Sequence, residues 1–107
     1  MLYGQNDMKT MTLAQIAGNL DHLDPAYTIY AEATPEWVAT SPAVICRAPE
    51  DGTLPTEAKG MLYFLEVSVA QEVIEVWKKW RGGRVPSSGE KCTAIIYYAI
   101  NDSYLPP

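Results

Sequence analysis

The sequence predicts an α+β fold, in which a small antiparallel sheet of three strands carries two or three helices packed on one face. Two observations support this class. Segments that begin with helix caps have the apolar spacing of amphipathic helices, and three short runs are rich in β-branched and aromatic residues. The chain has 107 residues, of which 48% are hydrophobic and 20% are charged, which is typical of one folded domain.

The N-terminal part of the chain contains the first predicted helix. We expect residues 1–11 to form a loose leader and residues 12–107 to form a single α+β domain. The hydroxyl of Thr12 and the side chain of Gln15 fit a capping box, in which each side chain bonds a backbone N–H of the other residue. Apolar side chains then recur on one helical face as far as Asp24, where a following proline should end the helix.

Three short segments are predicted as strands. They cover residues 27–32, 43–47 and 61–67, and the third is the most hydrophobic run of the chain. Between the second and third strands, residues 49–60 are rich in proline, glycine and acidic side chains. We therefore expect a surface loop or a long hairpin connection there.

A helix with clear start and stop signals should follow the third strand. A second capping box, from Ser68 to Gln71, begins it, and a glycine pair at positions 82 and 83 ends it. The apolar face of this helix carries Trp77 and Trp80, which we interpret as core residues. Acidic side chains near its beginning and basic side chains near its end agree with the helix dipole.

The last segment, residues 88–104, is compatible with two structures. Ser87 and Glu90 fit a third capping box and precede a continuous apolar stripe, both of which favour a helix. The same segment is rich in β-branched and aromatic side chains, which favour a strand. We predict a helix because the cap and the stripe agree. Tyr97 and Tyr98 cannot both face inward on one helix, so at least one should line a surface, a groove or a subunit contact.

The chain is acidic, with 13 Asp and Glu residues, 8 Lys and Arg residues and a formal net charge of −5. Nucleic-acid binding depends on Lys and Arg side chains that neutralise phosphates, so we expect no nucleic-acid partner. The charge favours a partner protein with a basic surface. A second copy of the chain is the other expected partner, because small domains with a half-covered sheet often complete their burial as homodimers.

Cysteine usage and hydropathy indicate a cytoplasmic protein without membrane contact. Cys46 and Cys92 lie far apart and lack the spacing of metal ligands, so we expect free, mostly buried thiols. No stretch approaches the ~18 consecutive apolar residues of a membrane span, and the N-terminal residues lack the apolar run of a signal peptide.

The sequence shows no motif of catalysis, metal binding or phosphate binding. His22 is the only histidine, and no Gly-x-Ser-x-Gly motif supplies a nucleophile. One histidine and two separated cysteines are too few for a zinc site, and the glycines form no phosphate loop. We therefore expect neither a metal nor a cofactor.

Aromatic side chains are the feature of the sequence that points to a site. The chain contains 3 Trp and 7 Tyr residues, which are enriched in interface hot spots and ligand pockets but are also ordinary core material. The candidate ligand or interface residues are Trp77, Trp80, Tyr97, Tyr98, Asp102 and Tyr104.

Short motifs lie near both ends of the predicted domain. Ile96-Tyr97-Tyr98 is followed by Asn101-Asp102-Ser103-Tyr104-Leu105, and Thr12-Leu13 precedes a tyrosine-rich segment at residues 27–30. In this pattern the chain resembles a family of small uncharacterised bacterial proteins found on mobile elements, including integron gene cassettes. The chain departs from the family pattern at Ser103 and Tyr104, where small and Phe residues are expected. The resemblance implies no activity, because none is assigned to the family.

Three functional hypotheses follow, of which we favour the first. It is a non-catalytic binding protein that acts through an aromatic-rich protein interface, such as an acidic inhibitor of a basic enzyme. The second is a small-molecule binder, with a pocket between sheet and helices lined by Trp77, Trp80 and Tyr98 that suits a cationic ligand. The third is an enzyme that uses Asp102 or Glu72 as an acid–base group.

Overall fold

The computed structural model describes residues 10–34 and 36–107. The predicted leader lies outside the described residues except for its last two positions. Within the described part of the chain the fold is α+β, as predicted, with three α-helices and one antiparallel sheet. The sheet has four strands, whereas three were predicted.

The additional strand is short and lies at one edge of the sheet. The strands are β1 (Met11–Thr12), β2 (Thr28–Glu32), β3 (Pro42–Cys46) and β4 (Met61–Glu66). Their order across the sheet is β1-β3-β2-β4, and every neighbouring pair is antiparallel. β1 contains only two residues, so it carries no alternating pattern that a sequence could reveal.

Two long helices and one short helix pack against this sheet. They are α1 (Leu13–Gly18), α2 (Val67–Lys79) and α3 (Ser88–Asn101). The ambiguous last segment is therefore a helix, as predicted. The first helix is shorter than expected: it ends at Gly18, and the side-chain amide of the C-cap residue Asn19 donates to the Gln15 carbonyl oxygen at 2.8 Å. A 3-10 turn, Leu20–His22, continues the chain.

Capping explains where two of the helices begin. The boxes of Thr12 with Gln15 and of Ser87 with Glu90 are both present. The predicted box at Ser68 is wrong, since the N-cap position of α2 is Glu66, two residues earlier, and no side chain caps this helix. β4 runs directly into α2 there, and a carbonyl oxygen just before β2 accepts a hydrogen bond from the backbone N–H of Val67. The first turn is thus held by the neighbouring strand segment rather than by a side chain.

The side chain of Gln71 has a different role from the predicted cap. Its amide donates to the carbonyl oxygens of Leu20 and Leu23, at 2.9 and 3.1 Å. Leu20 is the first residue of the 3-10 turn after α1, and Leu23 directly follows that turn. Gln71 therefore ties α2 to the N-terminal part of the domain.

The sheet separates two groups of buried side chains. The main core lies between the sheet and the helices, where Ile29, Ala31 and Phe64 pack with apolar side chains of all three helices. On the opposite face, Tyr30 and Val44 form a smaller cluster beneath residues of the connection that precedes β4. Within the described residues no helix has the length and apolar character needed to cross a membrane. Both cysteines are free and buried, as predicted.

Candidate functional site

Three of the candidate aromatic residues meet beside α2. Trp80 follows the end of α2, Tyr98 belongs to the last turn of α3, and Tyr104 lies in the segment after α3. The Trp80 and Tyr104 ring centres are 5.8 Å apart, and those of Tyr98 and Tyr104 are 5.2 Å apart. The hydroxyl of Tyr104 donates to Oε2 of Glu72, an exposed residue of α2, at 2.7 Å. We call Glu72, Trp80, Tyr98 and Tyr104 the aromatic–carboxylate cluster.

The chain reversal after α3 places Tyr104 in this cluster. Asp102, a candidate residue from the sequence, adopts the left-handed conformation with φ of 54° and ends the helix. The segment that follows returns along α2, where the guanidinium of Arg81 donates to the carbonyl oxygens of Leu105 and Pro106 at 3.2 and 2.8 Å. Asp102 therefore has a structural role at the turn, and Arg81 holds the segment that carries Tyr104.

Neighbouring groups raise the pKa of two tyrosines in this region, Tyr104 and Tyr63. The hydrogen bond to Glu72 raises the pKa of Tyr104 to about 12, and the nearby phenol of Tyr98 contributes in the same direction. Burial raises the pKa of Tyr63 on β4, and the carboxylate of Glu66 and the phenol of Tyr98 raise it further. Glu72 and Glu66 thus both act on tyrosines in this region, and the hydroxyl of Tyr104 contacts a carboxylate directly.

The environment of Trp77 shows the opposite arrangement. The guanidinium carbons of Arg81 and Arg84 lie 4.4 and 4.7 Å from the centre of its ring, so the chain itself supplies the cations. Among the described residues, no Arg or Lys side chain makes such a contact with the rings of the aromatic–carboxylate cluster. Glu72 also takes no part in the two ion pairs of the described residues.

The structure separates the two tryptophans that the helical spacing placed together. Trp77 is 5% exposed and belongs to the core, as predicted. The prediction that Trp80 is a core residue is wrong, because its side chain is 47% exposed. Trp77 lines a cavity of about 530 Å³ together with Arg81 and Arg84. Trp80 and Tyr98 do not line that cavity, so it is not the predicted pocket of Trp77, Trp80 and Tyr98.

Tyr97 lies apart from the cluster. It lines a mainly apolar groove of about 400 Å³ between α3 and the connection from β2 to β3. We call Trp37, Val38, Ile96, Tyr97 and Ile100 the α3 groove. The expectation that Tyr97 or Tyr98 lines a surface or groove is therefore confirmed for Tyr97.

The partner of Tyr104 is the part of the site that sequence reasoning missed. The sequence suggests Glu72 only as an acid–base group and gives no sign of a contact with an aromatic residue. Trp80, the C-cap residue of α2, comes eight positions after Glu72, a little over two helical turns, so helical spacing places the two within about a quarter turn of each other around the helix axis. No local pattern indicates that Tyr104 lies between them.

Comparisons of the chain with protein families, curated proteins and solved structures found no relative. No family model matches the chain, and neither a curated protein nor a solved structure was found to match it. The resemblance to the family from mobile elements therefore stays a prediction. Within the described residues, no group of three or more His, Cys, Asp and Glu side chains is placed to hold a metal ion.

Proposed function

We propose that the protein is a non-catalytic binding protein whose aromatic–carboxylate cluster receives a basic group of a partner protein. The observation that carries this proposal is the contact of Tyr104 with both Glu72 and Trp80. Tyr104 thereby connects the carboxylate of Glu72 with the ring of Trp80, a residue that is 47% exposed. Such a surface combines the two features that attract a Lys or Arg side chain.

The energetics favour a basic partner. A cation over the face of an exposed Trp or Tyr ring gains about 0.5–1 kcal/mol, and desolvation in an interface increases this gain. Oε2 of Glu72 accepts one hydrogen bond from Tyr104, and the carboxylate has further lone pairs for a donor of the partner. The net charge of −5 also accelerates encounters with a basic surface.

Comparative affinity capture tests this proposal. The wild-type chain and the variants Trp80→Ala and Glu72→Gln serve as baits in the protein's own host. Ile100→Ala is the matched control, since Ile100 is 57% exposed but lines the α3 groove. We expect a basic protein that the wild type and the control retain and that both cluster variants lose. Equal recovery with all four baits would exclude the cluster as the interface.

A small organic cation is a second candidate ligand. The cluster supplies ring faces and a carboxylate without any help from a partner surface, which is the combination that recognises alkylammonium groups. Titration with ethylammonium and tetramethylammonium salts, followed by tryptophan fluorescence, tests this function. Saturable quenching in the wild type but not in Trp80→Ala would support it, and unchanged fluorescence would contradict it.

The enzymatic hypothesis gains less support from the contacts of its two carboxylates. Glu72 accepts the hydrogen bond of Tyr104, and Asp102 lies exposed at the turn that ends α3. Glu72 is thus explained as part of the binding surface, and Asp102 as part of the turn that supports it. We therefore place an acid–base role of Asp102 or Glu72 behind both binding functions.

A further inference from the structure

A cavity of about 330 Å³ lies on the face of the sheet opposite the helices, beside the smaller group of buried side chains. It is lined by Tyr30 of β2 and Tyr63 of β4, which are partners across the two strands, and by residues 48–49 and 52–54 of the connection after β3. We propose that this cavity binds a small neutral aromatic molecule whose polar substituent forms a hydrogen bond with the hydroxyl of Tyr30. No residue of the aromatic–carboxylate cluster lines it, so this site is separate from the proposed protein interface.

The hydroxyl of Tyr30 is the observation that points to a ligand. Tyr30 is 5% exposed, yet within the described residues no group forms a hydrogen bond with its hydroxyl. Burying a hydroxyl without a hydrogen-bond partner is costly, and buried polar groups of folded proteins nearly always have one. Burial also raises the pKa of Tyr30, so at neutral pH the group is a hydroxyl that can both donate and accept. Because Tyr30 lines the cavity, a molecule inside the cavity is placed to supply the missing partner.

Hydrogen bonds within the connection shape one wall of the cavity without a ligand. The backbone N–H of Gly52 donates to the carbonyl oxygen of Pro49 at 3.2 Å, in a turn where Gly52 adopts φ of 79°. Oδ1 of Asp51 accepts the backbone N–H and the hydroxyl of Thr53, at 3.0 and 2.7 Å. The side chains of Asp51 and Thr53 are thus paired with each other, unlike the hydroxyl of Tyr30. A ligand therefore meets a wall that is already formed, as is usual for small-molecule sites.

The lining residues define the class of ligand. The two tyrosine rings and Pro49 offer flat surfaces for an aromatic ring. Leu54 and Tyr63 are 47% and 53% exposed, so part of this apolar lining is left uncovered. Among the described residues, no Lys, Arg, Asp or Glu lines the cavity, so an ionic ligand would lose hydration without gaining a countercharge. The volume is near the lower end for ligand pockets, which suits one ring or two fused rings with a short polar substituent.

Titration of the full chain with four probes, followed by two-dimensional proton–nitrogen NMR, tests this proposal. Benzamide is the neutral aromatic probe. Benzoate and benzylammonium have a similar shape but carry a charge, and cyclohexanecarboxamide keeps the amide without the aromatic ring. We expect benzamide to shift the amide signals of Tyr30, Gly52 and Tyr63 in a saturable manner, and to bind about tenfold more tightly than either charged probe. Absent or non-saturable shifts at these residues, or equal affinity for any other probe, would overturn the proposal.

Tyr30→Phe distinguishes a hydroxyl that binds a ligand from one that stabilises the fold. The variant keeps the ring, and its Kd for benzamide should be about fivefold higher because one hydrogen bond is lost. Without a ligand, its free energy of unfolding should equal or exceed that of the wild type, since no protein group loses a partner. A less stable variant, or one that binds benzamide as tightly as the wild type, would overturn the proposal.

Leu54→Ser makes the test independent of Tyr30. It removes part of the apolar lining, so the Kd for benzamide should rise about threefold or more. Val38→Ser is the matched control, because Val38 is 53% exposed but lines the α3 groove, and it should bind benzamide like the wild type. Circular dichroism verifies that both variants are folded. An equal Kd in the two variants would overturn the placement of the ligand in this cavity.

Discussion

The hydroxyl of Tyr104 donates a 2.7 Å hydrogen bond to Oε2 of Glu72, although the two residues are 32 positions apart in the chain. This bond fixes the segment after α3 against α2 and orients the ring of Tyr104 toward Trp80. It also explains why one exposed carboxylate of α2 belongs to an aromatic surface. The cluster is therefore an arrangement that the fold creates rather than a motif of the sequence.

Glu72→Gln should lower the pKa of Tyr104, which is about 12 in the wild type, toward its ordinary value of 10.0. The charge of Glu72 disfavours the phenolate, and an amide at that position carries no charge. Since the folded-state pKa is raised, this pair stabilises the fold fully below pH 10 and loses the effect as pH rises toward 12.

Phenolate absorbance during a pH titration measures this shift, with Tyr104→Phe identifying the signal of Tyr104. Glu75→Gln is the matched control, because Glu75 is an exposed carboxylate of the same helix that pairs with Lys78. An unchanged titration in Glu72→Gln, or an equal change in Glu75→Gln, would show that the hydrogen bond does not control this phenol.

Ser87→Ala should destabilise the domain by about 1 kcal/mol, because the Ser87 hydroxyl accepts the backbone N–H of Glu90 at 3.1 Å. Ser68→Ala should change the free energy of unfolding by less than about 0.5 kcal/mol, since Ser68 is exposed and caps no helix. Urea unfolding of both variants measures the difference. Equal losses would mean that α2 also depends on a hydroxyl cap.

Local signals in the sequence were sufficient for most of the elements. The caps at Thr12 and Ser87 act within four residues, so their helices could be predicted from short windows. The cap and the apolar stripe of α3 also outweighed its strand-favouring side chains. Ser68 carries the same local signal, but the strand that leads into α2 removes the need for a cap.

Contacts between distant segments could not be predicted in this way. β1 exists because Met11 and Thr12 pair with Ala43 and Pro42, and two residues carry no period. Helical spacing assigns Trp80 to the apolar face of α2, but the helix ends at Lys79 and Trp80 is its C-cap residue. The position of Tyr104 depends on the reversal at residue 102 and on hydrogen bonds from Arg81, which lies in the turn after α2.

Trp77→Ala and Trp80→Ala should differ strongly in stability. Trp77 is 5% exposed, so its truncation leaves a cavity in the core and should cost about 3–5 kcal/mol. Trp80 is 47% exposed, and we expect its truncation to cost about 1 kcal/mol. Urea unfolding again gives both values. A cost for Trp80→Ala as large as that for Trp77→Ala would mean that Trp80 is structural rather than available to a partner.

Glu90→Gln should make the free energy of unfolding less dependent on pH in the acidic range. The backbone N–H of Ser87 and the guanidinium of Arg84 hold the pKa of Glu90 below its ordinary value. A depressed pKa means that the stabilisation is present above pH 4.5 and is lost as pH falls through the folded-state value. Glutamine at this position can still complete the capping box, so the variant removes the charge and keeps the hydrogen bond.

Unfolding free energies between neutral and acidic pH measure this effect. The curve of Glu90→Gln should be flatter than that of the wild type. The slope for Arg84→Gln should lie between them, because this variant removes the 3.0 Å ion pair but keeps the hydrogen bond from the Ser87 backbone that also lowers the pKa of Glu90. If Glu90→Gln and the wild type lose stability in parallel as the pH falls, the charge of Glu90 is not what stabilises the start of α3. The backbone hydrogen bonds of the capping box would then account for the whole contribution.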